Sequence, residues 1–175
     1  MAADIPVVRD FIIPLERYPN LLETKTLHDA VETLLAFSCG ENDRLRYSAI
    51  FVLNEENQLV GKATLQDLLR GLDKRLVEVP GVASFEGKGA EYPNLAVLWE
   101  ESFFVECAKK KDVPLKELMV PIERMVKADD SLVKALSILL HHPDDQALPV
   151  IDGGTVVGAI RLEEIFKAVC SCCKL

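Results

Sequence analysis

Two stretches of the chain carry apolar residues at the same helical spacing, each behind a hydroxyl residue. After Thr26 they stand at Leu27, Ala30, Val31, Leu34 and Leu35, and after Ser131 at Leu132, Ala135, Leu136, Leu139 and Leu140. Positions i, i+3, i+4, i+7 and i+8 form one face of an amphipathic helix. A Ser or Thr just ahead of such a face can accept from the free N–H groups of the first turn. His141-His142-Pro143 closes the second helix, because proline cannot continue it.

Downstream the two stretches stay in step. Ala49-Ile-Phe-Val-Leu53 and Ala147-Leu-Pro-Val-Ile151 are apolar runs of strand length. Turn residues follow each, Asn54-Glu-Glu-Asn57 in one and Asp152-Gly153-Gly154 in the other, and then Leu59-Val60-Gly61 and Val156-Val157-Gly158. That order predicts a strand–turn–strand in each copy. Second helices come next, with apolar faces Leu65, Leu68, Leu69, Leu72 and Leu162, Ile165, Phe166, Val169. Upstream, Ile13-Pro14 and Val120-Pro121 lead into the copies, with short strands expected near Leu21-Leu22 and Met125-Val126.

The chain is thus an internal repeat. Each copy reads β-α-β-β-α over roughly sixty residues, near the size at which a lone core is marginal. The expected fold is α/β, in layers, with two tandem repeats packed pseudo-symmetrically: helices on one face of each sheet, the other repeat against the opposite face. The divisions are residues 1–72 for the first repeat, 73–113 for a connecting segment, 114–170 for the second repeat and 171–175 for a cysteine-rich tail. The connecting segment opens on a loop (Pro80-Gly81, Gly87, Gly89) and carries an expected helix from Pro93 to Lys111. Lys109-Lys110-Lys111 suits a helix C-terminus, where cations complement the dipole.

Composition narrows the function. The 175 residues hold 20 Lys+Arg against 28 Asp+Glu, a formal charge of −8. An acid excess argues against nucleic-acid and anionic-membrane partners, which select basic patches. No apolar run approaches the ~18 residues of a membrane span. Met1 to Asp10 contains Asp4 and Arg9 and has no apolar h-region, so it does not read as a secretory signal. Five cysteines, an odd and unevenly spaced set, do not read as a disulfide framework. The expected compartment is the cytosol.

Gly61-Lys62-Ala63-Thr64-Leu65-Gln66-Asp67 holds the candidate chemistry. Gly61 ends a strand where a ligand or another backbone can approach. Thr64 begins a helix, and its hydroxyl with the neighbouring free N–H groups can receive a phosphate, helped by the helix dipole. Lys62 can add charge. Asp67, one turn on, can accept both hydroxyls of a ribose cis-diol. The same Thr64 and Asp67 also approximate a helix-capping box, in which the two side chains serve only the helix terminus.

The repeats resemble a cystathionine-β-synthase-type domain pair, a CBS pair or Bateman module. Leu148-Pro149-Val150-Ile151-Asp152, a turn, then Val156-Val157-Gly158-Ala159-Ile160 looks like that family's "LPVVD…LVGII" hairpin. Met119-Val120-Pro121 looks like its M-x-P lead, and Gly61 to Asp67 fits its G-h-x-[ST]-x-x-[DN] nucleotide motif apart from Lys62 at a usually apolar position. The resemblance covers about residues 7–72 and 114–170. It implies a regulatory module, not an enzyme, that binds AMP, ADP, ATP or S-adenosylmethionine in a cleft between the repeats. It also implies a homodimer and a separate, unidentified effector protein. The alternative is a ligand-free dimerisation or scaffold module. Carried across, Thr64 and Asp67 would face Met119, Arg124, Gln146 and Ala147, the backbone of the last two reading the adenine edge. Arg124 would be a phosphate or ring-stacking partner, or else a solvated surface arginine.

The second copy departs from the motif, with Arg161 in place of Ser or Thr and Glu164 in place of Asp or Asn. Arg161 could bind a phosphate and Glu164 a ribose, or the two, at i and i+3, could pair with each other. The two sites are therefore expected to be unequal. Elsewhere, Cys170, Cys172 and Cys173 offer soft-metal or redox chemistry, but three thiols do not complete a tetrahedral zinc site. An exposed reduced tail is the expectation. His28 reads as solvated, and His141 and His142 as cations at a helix C-terminus. Gly87-Lys88-Gly89 lacks the Walker pattern. Trp99 with Phe103 and Phe104 reads as a packing stripe.

Overall fold

The helices begin where the hydroxyl residues stand. The computed structural model describes residues 5–38, 44–72 and 104–173. Thr26 caps α1 (Leu27–Ala36): its hydroxyl accepts from the Asp29 N–H, and the Asp29 carboxylate accepts from the Thr26 N–H in return. Ser131 caps the helix over Leu132–His141 through the Lys134 N–H. Among the described residues the other two long helices span Leu65–Leu72 and Leu162–Cys173, and these with the first two are α1 to α4 in chain order. Of the helix expected over 93–111, residues 104–109 are helical; Trp99, Phe103 and the loop from Asp73 lie outside the described residues. α4 runs through Cys173, absorbing most of the expected tail, because no glycine or proline interrupts it after Val169.

Among the described residues, seven strands form two sheets: β1 (Ile13–Pro14), β2 (Asn20–Leu22), β3 (Ala49–Leu53), β4 (Leu59–Thr64), β5 (Val126–Lys127), β6 (Leu148–Asp152) and β7 (Thr155–Ile160). One sheet runs β2-β3-β4 and the other β1-β7-β6-β5. In register, Gly61 stands opposite Val52 and Gly158 opposite Val150, so the two hairpins superpose residue for residue around these glycines.

The leads of the repeats are exchanged in space. β1 pairs with β7 of the second repeat, Ile13 opposite Ala159 and Pro14 opposite Gly158. Val120, in the lead of the second repeat, exchanges two backbone hydrogen bonds of 2.9 and 2.8 Å with Lys62 of the first. The crossings require glycine. A Cβ on Gly61 would stand 2.9 Å from the Met119 sulfur and from the Val120 carbonyl, and one on Gly158 would collide with the Ile13 carbonyl. Farther upstream, Val8 donates to Asp130 O at 2.9 Å, and Leu115 donates to Lys25 O at 2.7 Å. Both side chains are fully buried, Val8 in the core of the second repeat and Leu115 in that of the first. The two sheets also meet, since Ala147, Val156 and Ala159 pack into the cluster built on Tyr18, Phe51 and Ile50.

Each helix buries only part of its apolar face. In α1, Leu27, Ala30 and Leu34 are buried, but Val31 and Leu35 are exposed. In α3, Leu132, Ala135 and Leu139 are buried and Leu140 is exposed; in α4, Ile165 is buried and Phe166 is 66% exposed. In α1, positions i, i+3 and i+7 face the sheet and i+4 and i+8 face outward, whereas in α3 Leu136 at i+4 still packs against the core and in α4 Leu162 at i is exposed. Among the described residues, no helix is long and apolar enough to cross a membrane.

Candidate functional site

Pseudo-symmetry places the Gly61–Asp67 segment across a cleft from the lead of the second repeat. β4 ends at Thr64 and α2 starts at Leu65, so Thr64 is both strand end and helix cap. Asp67 Oδ2 accepts from the Thr64 N–H at 2.9 Å and from its hydroxyl at 2.7 Å, and Thr64 Oγ1 accepts from the Asp67 N–H at 3.2 Å. The capping box is therefore formed. The Leu65 N–H is also committed, donating to Ser48 O at 3.0 Å. Thr64 and the Leu65 and Asp67 amides, expected as free phosphate donors, all have protein acceptors. What the motif still presents is Asp67 Oδ1, whose neighbour Arg70 stands 3.6 Å away, too far for a hydrogen bond.

The cleft is about 360 Å³ and is lined by Lys62, Thr64 and Asp67 from the first repeat and by Glu123, Arg124 and Asp145 from the second, among others. Asp145 organises its charges. One carboxylate oxygen takes the Lys62 ammonium, and the other takes Arg124 Nη1 at 3.0 Å. Burial alone would raise the Asp145 pKa, but hydrogen bonds from Lys62 and Arg124 outweigh it and hold the carboxyl below its ordinary range. The second amino group of Arg124 meets Glu123 at 3.1 Å. Lys62 and Arg124 are thus both paired with acids, their side chains 16% and 32% exposed. His141 and His142 also border the cleft, and His141 Nδ1 donates to Ser137 O at 2.7 Å.

The side chains of the other expected residues lie elsewhere. Met119 packs over Gly61 and reaches the first core instead of lining the cleft. The Ala147 side chain is buried in that same core, and Gln146 turns its amide to the Ser48 hydroxyl, on the rim of a separate cavity. Asp145, two residues before Ala147 and ahead of the strand that starts at Leu148, lines the cleft instead. Asp145 was legible in sequence as an acid directly ahead of the strand that faces the motif, but its charge partners were not.

The equivalent position in the second copy is plugged. Arg161 donates to both Glu164 oxygens, at 2.9 and 2.7 Å, and to Arg46 O at 3.0 Å. Its guanidinium lies 4.9 Å from the centroid of the Tyr47 ring. Burial works against the Arg161 charge, yet Glu164 holds its pKa above the ordinary value. Tyr47 precedes Val52 by the same five residues as Asp145 precedes Val150, so each repeat inserts one side chain opposite its partner's motif. In the first cleft it is an acid that binds cations, and in the second a ring beneath an arginine. The cavity beside Arg161, about 860 Å³, opens between α3 and α4 and is bordered by Leu140, Leu162 and Phe166.

The CBS domain family model matches residues 8–74 and 115–171. No curated protein matches the chain. CBSX2 in complex with AMP is 20% identical, with 95% of this chain and 98% of that one covered at a TM-score of 0.64. The CBS-pair protein CBSX2 from Arabidopsis thaliana is 19% identical, with 97% and 98% covered and a TM-score of 0.67. A CBS domain-containing protein of unknown function from Kribbella flavida is 19% identical, with 94% and 98% covered and a TM-score of 0.67.

Proposed function

The chain belongs to the CBS domain family, and from that premise we propose that it is a regulatory module that senses an adenosine-type ligand in the Thr64–Asp67 cleft. One observation carries this: among the described residues no hydrogen-bond donor reaches Asp67 Oδ1, which stands beside a helix terminus, across the inter-repeat cleft from Arg124. A ribose diol is the natural complement of such an oxygen, which accepts two hydrogen bonds and donates none. That CBSX2, of the same fold, is found in complex with AMP supports the ligand class. Arg161 fills the second position, so one ligand per chain is expected, held by Asp67 and the second repeat's lead. The role is regulation of a separate effector protein, not catalysis, and the odd cysteine set favours a reducing cytosol.

Calorimetric titration with adenosine nucleotides and S-adenosylmethionine tests this. Saturable binding of one ligand per chain is expected, and Asp67→Asn, which retains one carbonyl acceptor, should weaken it by about tenfold, the effect of one charged hydrogen bond. Unchanged affinity in that variant would refute the site.

A ligand-free dimerisation platform is the second reading, favoured by the outward apolar residues. Val31, Leu35 and Leu69 on one helix pair and Leu140, Leu162 and Phe166 on the other are all exposed. Contiguous apolar surface of this kind marks an interface. In this reading α1 to α4 meet the helices of a second copy, and the dimer exists with or without ligand.

A further inference from the structure

Several donors that a 5′-phosphate would use in this cleft already have protein acceptors. Thr64 Oγ–H donates to Asp67, and the Leu65 N–H donates to Ser48 O. Lys62 and Arg124 share the two oxygens of Asp145, which is itself only 10% exposed. To take the two cations a phosphate must either displace Asp145, stranding a nearly buried carboxylate, or add its own charge alongside it. Breaking a buried pair leaves an uncompensated charge and is strongly unfavourable. Sharing is no easier: among the described residues, Asp67, Glu123, Asp144 and Asp145 line the cleft with Lys62 and Arg124, and Arg70 stands 3.6 Å from Asp67. A phosphate monoester adds about 1.5 to 2 further negative charges at neutral pH. The ribose side is the reverse, since Asp67 Oδ1 needs a donor and a diol supplies two.

Taking the Thr64–Asp67 cleft as the ligand site, on which this rests, we infer that Asp145 is a built-in counter-ion that makes the cleft select an adenosyl ligand with no phosphate at its 5′ end, a neutral or cationic substituent being preferred. The specificity lies in a residue outside the glycine-to-aspartate motif. The second repeat, with Tyr47 at the matching position, has no such acid.

Titration calorimetry on the full chain in metal-free buffer tests this with adenosine, S-adenosylmethionine, AMP, ADP and ATP. Adenosine and S-adenosylmethionine should bind about tenfold or more tightly than AMP, with ADP and ATP weaker still, one such factor being roughly the effect of one charged contact. Asp145→Asn keeps the shape, removes the charge and frees Lys62 and Arg124, so it should raise AMP affinity by about tenfold and leave adenosine within about threefold. AMP bound as tightly as adenosine by the wild-type chain overturns the counter-ion role while leaving the adenosine site standing. An Asp145→Asn protein with unchanged AMP affinity overturns it as well. Binding of none of the five overturns the adenosine site and this role together. The wild-type series decides the matter by itself if the variant does not fold.

Discussion

Leu115→Ala should destabilise the first repeat, although Leu115 belongs in sequence to the lead of the second. The side chain is fully buried in the cluster that holds Leu27, Leu34, Phe51 and Leu68. Truncation removes about three methylene-sized groups at ~0.8 kcal/mol each, roughly 2.4 kcal/mol. The residual cavity brings the loss to about 3 kcal/mol, inside the range for buried leucines. For a chain of this size, that lowers the melting temperature by roughly 6–12 °C. Urea titration measures the total, and amide hydrogen exchange measures the place. Exchange should rise first in α1 and β2, because the Leu27 and His28 amides donate to Val113 and Lys111. The cleft should loosen too, since the same lead carries Val120 and Arg124 to Lys62 and Asp145. Val8→Ala is the mirror case: two methyl groups and their cavity amount to about 2 kcal/mol, with exchange rising around α3 and β5. A loss of protection confined to residues 126–165 in the Leu115→Ala protein would refute the exchanged-lead architecture, as would a loss below about 1 kcal/mol.

Asp145 ties stability to acid. Its folded pKa lies below the ordinary 3.8, so its contribution is fully present above about pH 5 and disappears as pH falls through the folded value. An acid titration of unfolding free energy should therefore be flatter below about pH 4 in Asp145→Asn than in the wild-type chain, and identical slopes would show that the Lys62–Asp145–Arg124 cluster does not form in solution. On the dimerisation reading, Phe166→Glu should leave the chain monomeric in sedimentation velocity where the wild type is dimeric, while costing under about 0.5 kcal/mol of folding stability, because Phe166 is 66% exposed. A dimer unaffected by that substitution would place the interface elsewhere.

Much of the fold could be read along the chain because its signals are local. Thr26 and Ser131 mark helix starts through hydrogen bonds spanning three residues, and His142-Pro143 marks a stop. The matching offsets of two helix faces and two hairpins revealed the repeat, and Gly61 and Gly158 fell on the positions where backbones cross. The helix faces were legible only in extent: periodicity marks Leu34 and Leu35 as equally apolar, but only packing against one sheet buries the first and exposes the second. The site was legible in its motif and not in its charges. Thr64 and Asp67 stood out by spacing, and Arg161 with Glu164 by their departure from it. Which cation meets which acid depends on contacts spanning 83 residues in the Lys62–Asp145 pair, and no local rule reaches that far.

The sequence by itself determined the repeat, the elements of each copy, the glycine positions and the inequality of the two motifs, since each follows from hydrogen bonding or side-chain spacing within a few residues. Tertiary structure alone decided that Val8 and Leu115 change sides and that Arg161 closes one cleft over Tyr47. It also decided that Asp145 occupies the cations of the other. These depend on the pseudo-twofold packing of two sheets, which brings residues distant in sequence within hydrogen-bond range and lets burial choose their partners.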